Sequence, residues 1–315
     1  MERKTYIGVD LGGTKLLLGE ADRTGTLLRQ AKYPSGRLTQ GEAMELIRNS
    51  LDRFLAEGPA CGEVQAIGVG MVGRIDSSAG IWHEIGPGRG EPVEAAKQLG
   101  DRYGLPCFVD NDVRSAARAE MLFGCGSGHM VYINIGTGIA AGIVCGGRLL
   151  TGGHHNAGEV GHTSSGIGQR VPCECGRTDC VEMVASGIGI DRCARLLVPE
   201  YPDTRLDIPA EGRVSAAEVF RLYGRDPLCT VLTDNAAQAA ANLIMNLVRV
   251  SDPDTVVLGG GVVSGGFLYR KILEHLNPYV LRYVTNGVVL TGLDPRYSGL
   301  LGACANAVKG MEEGL

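Results

Sequence analysis

No stretch of about 18 consecutive apolar residues, the length that crosses a bilayer, occurs in this chain, so no membrane-spanning helix is expected. Basic residues are not in excess: 30 Lys and Arg stand against 35 Asp and Glu, a net charge of −5. Neither nucleic acid nor an anionic membrane is therefore expected as a main partner. Low-complexity runs and long linkers are missing, which argues against disordered segments. The chain runs from Met1-Glu2-Arg3-Lys4-Thr5 straight into an apolar strand pattern. It lacks the charged-then-apolar opening of a secretory leader, and a cytoplasmic location is expected. The ten cysteines accordingly read as reduced thiols rather than as a disulfide framework.

What is present is apolar residue, at 44%, and glycine, at 48 of 315 residues. That glycine count is about twice the usual share of roughly 7%. A chain of this length favours two domains over one core. The glycines sit at strand ends, and two stretches repeat one plan. Ile7-Gly8-Val9-Asp10-Leu11-Gly12-Gly13-Thr14-Lys15 is matched by Val131-Tyr132-Ile133-Asn134-Ile135-Gly136-Thr137-Gly138, with Asp10 on Asn134 and Gly12 on Gly136. Each is an apolar strand, a small polar residue, a Gly/Thr turn and a second apolar run. Glycine lets backbone N–H groups approach an anion, and threonine adds a hydroxyl donor. Two such turns are expected to face each other across a cleft and grip a polyphosphate. Neither turn is a Walker A loop, and neither carries the dinucleotide fingerprint G-x-G-x-x-G. Asp10, at a strand end beside the phosphates, suits a water-mediated Mg²⁺ ligand.

The remaining pattern alternates strands with helices. Helical periodicity runs from Gly41 to Ala56, from Pro92 to Tyr103, from Val113 to Phe123 and from Ala236 to Val250. Val64 to Val72, Cys107 to Asp110, residues 130–135 and Thr255 to Leu258 read as strands, several apolar throughout as in strands covered on both faces. Two α/β domains of similar plan result, with a hinge expected near residue 115.

Two clusters carry further chemistry. Cys173-x-Cys175-x₄-Cys180 packs three thiols into eight residues, with His162 eleven residues before the first. Three thiolates and an imidazole complete a tetrahedral structural Zn²⁺ site with no open position; the competing reading is three buried free thiols. The other seven cysteines read as small apolar residues, and His154 and His155 as surface histidines. Asn111-Asp112 stands at a strand-to-helix junction. It reads either as a helix cap or as the carboxylate that an ATP-cleaving enzyme needs to take the acceptor hydroxyl's proton.

Together these motifs resemble the ROK family (repressor, open reading frame, kinase), over essentially the whole chain and in the family's order. Asp10, Gly12, Gly13, Thr14 and Lys15 look like its first phosphate loop, and Gly136, Thr137 and Gly138 like its second. Asn111 and Asp112 look like the pair that holds the sugar and supplies the base. Gly158-Glu159-Val160-Gly161-His162 matches the E-x-G-H element, and Cys173-x-Cys175-Gly176-x-x-Asp179-Cys180-x-Glu182 the zinc signature, with Asp179 where glycine is usual. Gly259-Gly260-Gly261 resembles the turn beside the adenosine.

The resemblance implies an α/β, actin-like ATPase (ribonuclease H-like) duplicated fold. Its smaller domain would span 1–115, completed by a C-terminal helix in 299–315, and its larger domain 116–298. It implies an ATP- and Mg²⁺-dependent kinase, glucokinase-like, that phosphorylates the 6-hydroxyl of a hexose, and a homodimer. Asp112 would be catalytic; Gly73, Glu84, Asn111, Glu159, His162 and Glu182 would bind the sugar; Gly260 and Gly261 would line the nucleoside. One departure stands out. Where glucokinases of the family carry Pro-Asn-Leu…Trp, this chain has Ile81-Trp82-His83-Glu84-Ile85-Gly86-Pro87-Gly88-Arg89-Gly90, with no asparagine. Depending on the gap chosen, Glu84 or Gly86 lies nearest the missing asparagine, and a carboxylate there suggests an amino sugar or an N-acetylhexosamine as the alternative substrate. A sugar-sensing regulator of the family would need a DNA-binding region ahead of the first strand. An actin-like ATPase without a small-molecule acceptor would leave Glu159, His162 and the cysteines without purpose.

Overall fold

The computed structural model describes residues 4–13, 15–36, 38–86 and 88–314. They form two compact units: Met1–Cys125 with Leu149–Ala157 and Gly292–Leu315, and Gly126–Arg148 with Gly158–Thr291.

The first unit opens with β1 (Lys4–Leu11), β2 (Lys15–Asp22) and β3 (Leu27–Pro34), then α1 (Gln40–Ala56), β4 (Glu63–Met71) and the short hairpin β5 (Arg74–Asp76) and β6 (Ile81–Glu84). α2 (Ala95–Tyr103), β7 (Cys107–Asn111) and α3 (Asp112–Phe123) follow. The main sheet has the order β3-β2-β1-β4-β7. β2 is antiparallel to β1 and β3, whereas β4 is parallel to β1 and β7. α1 starts at a reciprocal cap, in which Thr39 Oγ1 accepts from Glu42 N–H and the Glu42 carboxylate accepts from Thr39 N–H. Its apolar stripe, Ala43, Met44, Ile47, Leu51 and Phe54, joins Ile7, Val9, Ile67 and Trp82 in one core. α2 begins three residues later than its periodicity suggests, because Val93 spends both backbone groups on Trp82. Residue 115, the expected hinge, lies within α3, whose alanines 116, 117 and 119 pack without a break.

The second unit holds β8 (Met130–Ile135), β9 (Ile139–Cys145) and β10 (Arg148–Leu149), the last at its edge, then α4 (Glu182–Ala185), α5 (Gly187–Leu197) and α6 (Ala216–Arg221). α7 (Pro227–Ser251), β11 (Thr255–Gly259), α8 (Phe267–Glu274) and β12 (Gly287–Leu290) complete it. Its sheet runs β10-β9-β8-β11-β12, with β9 antiparallel to β8, and β11 parallel to β8 and β12. α7 starts nine residues before its expected start at Ala236, where Asp226 caps Cys229 N–H and Pro227 takes the first helical position.

α9 (Ser298–Glu313) returns to the first unit and lies against β1, β4 and α3. The approach is so close that a methyl group on Gly68 would fall 1.9 Å from the Ala303 carbonyl. Asn306, buried in α9, donates to the Val69 carbonyl at 3.1 Å and to Ser115 Oγ at 2.8 Å, tying helix, sheet and α3 together. Among the described residues, no helix is long and apolar enough to cross a membrane.

Candidate active-site residues

In the first unit Asp10 sits near the end of β1, opposite Gly70 of β4 and Leu17 of β2. Burial, then the charge of Asp112, push its carboxyl up to about 7, against the pull of Lys15. A methyl group on Gly299, in the first turn of α9, would lie 2.5 Å from Asp10 Oδ2. α9 has no side-chain cap, so the carboxylate abuts a helix start, which favours negative charge. The turn after β1 is closed by Gly12 N–H on the Lys15 carbonyl at 3.0 Å, and Ser35 Oγ donates to the Gly12 carbonyl. Gly13 is exposed and Lys15 half-buried, whereas Thr14 lies outside the described residues.

Asn111 caps α3: its Oδ1 accepts from Val113 and Arg114 N–H, and its Nδ2 donates to the Gly73 carbonyl at 3.1 Å. The capping reading of Asn111 therefore holds, and the cap delivers Asp112 as the first residue of the helix. Asp112 is half-buried, and burial raises its pKa, opposed by the Val113 N–H that its Oδ1 accepts at 2.9 Å.

Behind this helix start lies a network absent from the sequence expectations. Buried Asp110 accepts from Arg114 at 2.6 Å and from Arg118 at 3.0 Å. Arg114 also donates to the carbonyls of Ile75 and His155. His155 is not a surface histidine: it is half-buried, adopts φ 58°, sits 3.2 Å from Asp76 through Nε2 and stacks on His83. Its backbone carbonyl and ring are both engaged by the first unit. The one visible signal was the spacing Arg114-x₃-Arg118, which puts two guanidiniums on one face of α3, with Asp110 two residues ahead of the helix at the end of β7. Glu84 is held by Arg74 at 2.8 Å and by Gly88 N–H at 2.9 Å, contacts that keep its carboxyl below the usual range. No bare carboxylate stands at the position of the missing asparagine.

In the second unit the β8–β9 turn is closed by Gly136 N–H on the Gly138 carbonyl. The carbonyls of Gly136 and Thr137 accept from Gly187 and Ile188 N–H at the start of α5. Glu182 Oε2 accepts from Ile139 N–H at 2.9 Å. Gly260 follows β11 with φ 95° and Gly261 is exposed. Glu159 is exposed, just ahead of the helical turn that carries His162.

The four expected metal ligands come together: one donor atom each from His162, Cys173, Cys175 and Cys180 all lie within 4.8 Å of one another. Cys173 Sγ is 3.4 Å from His162 Nδ1, and Cys175 Sγ is 3.5 Å from Cys180 Sγ. Zinc–sulfur bonds near 2.3 Å at tetrahedral angles require sulfurs about 3.8 Å apart, so the donor set fits zinc in chemistry and size. Nδ1 faces the thiols, which points Nε2 away from them. Asp179 explains its own departure from the family pattern. It adopts φ 53°, a region glycine enters freely, and its carboxylate offsets the strain by accepting from Arg170 and Val171 N–H at 2.8 Å each. Of the remaining cysteines, Cys193, Cys229 and Cys304 are buried as small apolar residues, but Cys125 and Cys145 are exposed.

The ROK family model matches residues 6–309. The chain belongs to the ROK family. It is 33% identical over 297 residues to a glucokinase of Halalkalibacterium halodurans, covering 91% of this chain and 89% of the relative. It is 30% identical over 273 residues to an N-acetylmannosamine kinase of Escherichia coli O157:H7, covering 84% and 86%. A ROK family glucokinase from Streptomyces griseus, solved with glucose and AMPPNP, superposes with a TM-score of 0.76 at 27% identity, covering 97% of this chain and all of that one. The fold is the actin-like ATPase fold of ROK proteins, present twice: the two sheets share one strand plan.

Proposed function

We infer that this ROK protein is a sugar kinase, and we propose that it transfers the γ-phosphoryl group of ATP to the 6-hydroxyl of a hexose. One observation carries the chemistry: Asp112 opens α3 half-buried, with its pKa raised and Asp10 close enough to feel its charge. A general base works best with a pKa near the operating pH. Asp112 would take the hydroxyl proton as the oxygen attacks phosphorus, and Asp10 would hold Mg²⁺ through water. Gly12, Gly13, Thr14 and Lys15 in one unit, and Gly136, Thr137 and Gly138 in the other, would bind phosphate oxygens, while Gly260 and Gly261 would line the nucleoside. Catalysis would come mainly from positioning and electrostatics.

Gly73, Glu84, Asn111, Glu159, His162 and Glu182 would contact the sugar. His162, Cys173, Cys175 and Cys180 would hold a structural zinc that orients His162. Glu84 would act through its pair with Arg74, which offers a hexose a neutral ion pair rather than a lone charge. That favours a neutral sugar, glucose or an N-acetylhexosamine, the second also on the strength of the N-acetylmannosamine kinase relative, over a cationic amino sugar. A cytoplasmic homodimer belongs to the same proposal, carried by the family resemblance. Asp112→Asn is expected to lower kcat by roughly 10²–10⁴ while calorimetry still detects sugar binding. Near-normal turnover in that variant would remove Asp112 from the role.

A further inference from the structure

We propose that Glu182 is a positioning residue for the phosphate turn 136–138, and that it makes nucleotide binding depend on the Cys₃His site. The proposal rests on the sugar-kinase reading in taking ATP as the ligand of this turn. Everything it needs lies within the second unit.

Glu182 stands two residues after the ligand Cys180 and opens α4. The chain between them is fixed: Val181 N–H donates to the Thr163 carbonyl, beside His162, and Met183 N–H to the Cys180 carbonyl. A change in how the cysteines and His162 are held therefore moves the base of Glu182. At its other end, Oε2 accepts from Ile139 N–H at 2.9 Å, on the residue that leaves the turn. A methyl group on Gly138 would lie 2.5 Å from the same oxygen. Glycine at 138 is thus required for the carboxylate to close on the turn. Next along the chain, Gly187 and Ile188 donate to the carbonyls of Gly136 and Thr137. With both carbonyls drawn back to α5 and Ile139 N–H held by Glu182, the N–H groups of Thr137 and Gly138 take no partner among the described residues. Two adjacent unpartnered N–H groups on a turn braced from behind are what an anion-binding nest requires. Glu182 acts on that nest through the Ile139 N–H that its Oε2 accepts.

The experiment measures AMPPNP binding by calorimetry with Mg²⁺ and without sugar, alongside zinc content. Glu182→Ala should weaken AMPPNP roughly tenfold, the scale of one hydrogen bond to a charged group, at unchanged zinc. Glu182→Gln keeps an oxygen acceptor and should restore binding to within about threefold of the parent chain. Gly138→Ala, which crowds the same carboxylate from the other side, should reproduce the loss. Removing zinc from the parent chain with a chelator should also weaken AMPPNP. In steady state Glu182→Ala should raise KM for ATP more than it lowers kcat. If Glu182→Ala and Gly138→Ala bind AMPPNP like the parent chain, and only the KM for sugar rises, the positioning role is wrong while the kinase stands. If the parent chain binds no AMPPNP at all, the kinase reading and the proposal fall together.

Discussion

The two units carry the same sheet, and they differ at one residue that matters. In each, the opening strand has an antiparallel hairpin partner on one side and a parallel strand on the other, with a second parallel strand beyond it. Asp10 of β1 and Asn134 of β8 occupy matching places, opposite Gly70 of β4 and Gly259 of β11. The turns differ in length: four residues separate the paired Leu11 and Leu16, and three separate Ile135 and Ile139. The first unit also sets Asp112 near Asp10, whose carboxyl is pushed towards protonation by burial and then by the charge of Asp112. The second has an amide, Asn134, at the strand end and a turn whose Gly136 and Thr137 carbonyls accept from Gly187 and Ile188 N–H. On the proposed function the two copies would divide the work. Both turns would hold phosphate oxygens, and the acidic copy would add a ligand for Mg²⁺ and a proton acceptor.

Exchanging the strand-end residues is the sharpest way to break this comparison. Asp10→Asn should lower kcat by roughly 10²-fold, the scale of losing one group that stabilises the transferring phosphate, and should raise the Mg²⁺ needed for half-maximal rate. Asn134→Asp should instead raise KM for ATP about fivefold, about 1 kcal/mol for like charges roughly 4 Å apart in water, with little change in kcat. Equal effects from both exchanges would mean that the units share one role. Asp10 also makes a pH prediction. Its carboxyl titrates at about 7 in the folded chain against the ordinary 3.8. The folded chain keeps a proton that the unfolded chain releases, so stability falls as pH rises through that window. Urea midpoints measured without Mg²⁺ should drop between pH 5 and pH 8, and Asp10→Asn should flatten the slope.

A smaller effect separates the units by packing. Gly68→Ala forces a methyl group into the Ala303 carbonyl, where backbone must move, and should cost about 1–3 kcal/mol. Gly136→Ala meets only the Asn134 side chain at 3.3 Å and should cost well under that in denaturant titration. Comparable losses would show that α9 is not seated as tightly on its sheet as the structure has it.

Much of this division was legible before any coordinates. The repeated hairpin showed in the sequence because strand, small polar residue and glycine turn are local features. The Cys₃His cluster showed because three of its four residues fall within eight positions. What stayed hidden was non-local. His155 reads as a surface histidine until Arg114, 41 residues away, is seen to hold its carbonyl. Glu84 reads as a bare carboxylate until the β5–β6 hairpin brings Arg74 across from it. The start of α7 was obscured because Thr230, Thr233, Asp234 and Asn235 interrupt the apolar pattern, while the cap at Asp226 lies ten residues before the expected start. Asp112 could be placed at the helix start by its neighbour Asn111, but its raised pKa comes from burial, which no short motif encodes.

The most direct test is ADP release from ATP by the purified, zinc-loaded protein over a panel of hexoses, amino-hexoses and N-acetylhexosamines, with a sugar-free control. The account predicts slow release without sugar and a large rise with at least one six-carbon sugar that has a free 6-hydroxyl, and none with its 6-deoxy analogue. Release that no sugar changes, or that the 6-deoxy sugar stimulates equally, would contradict it.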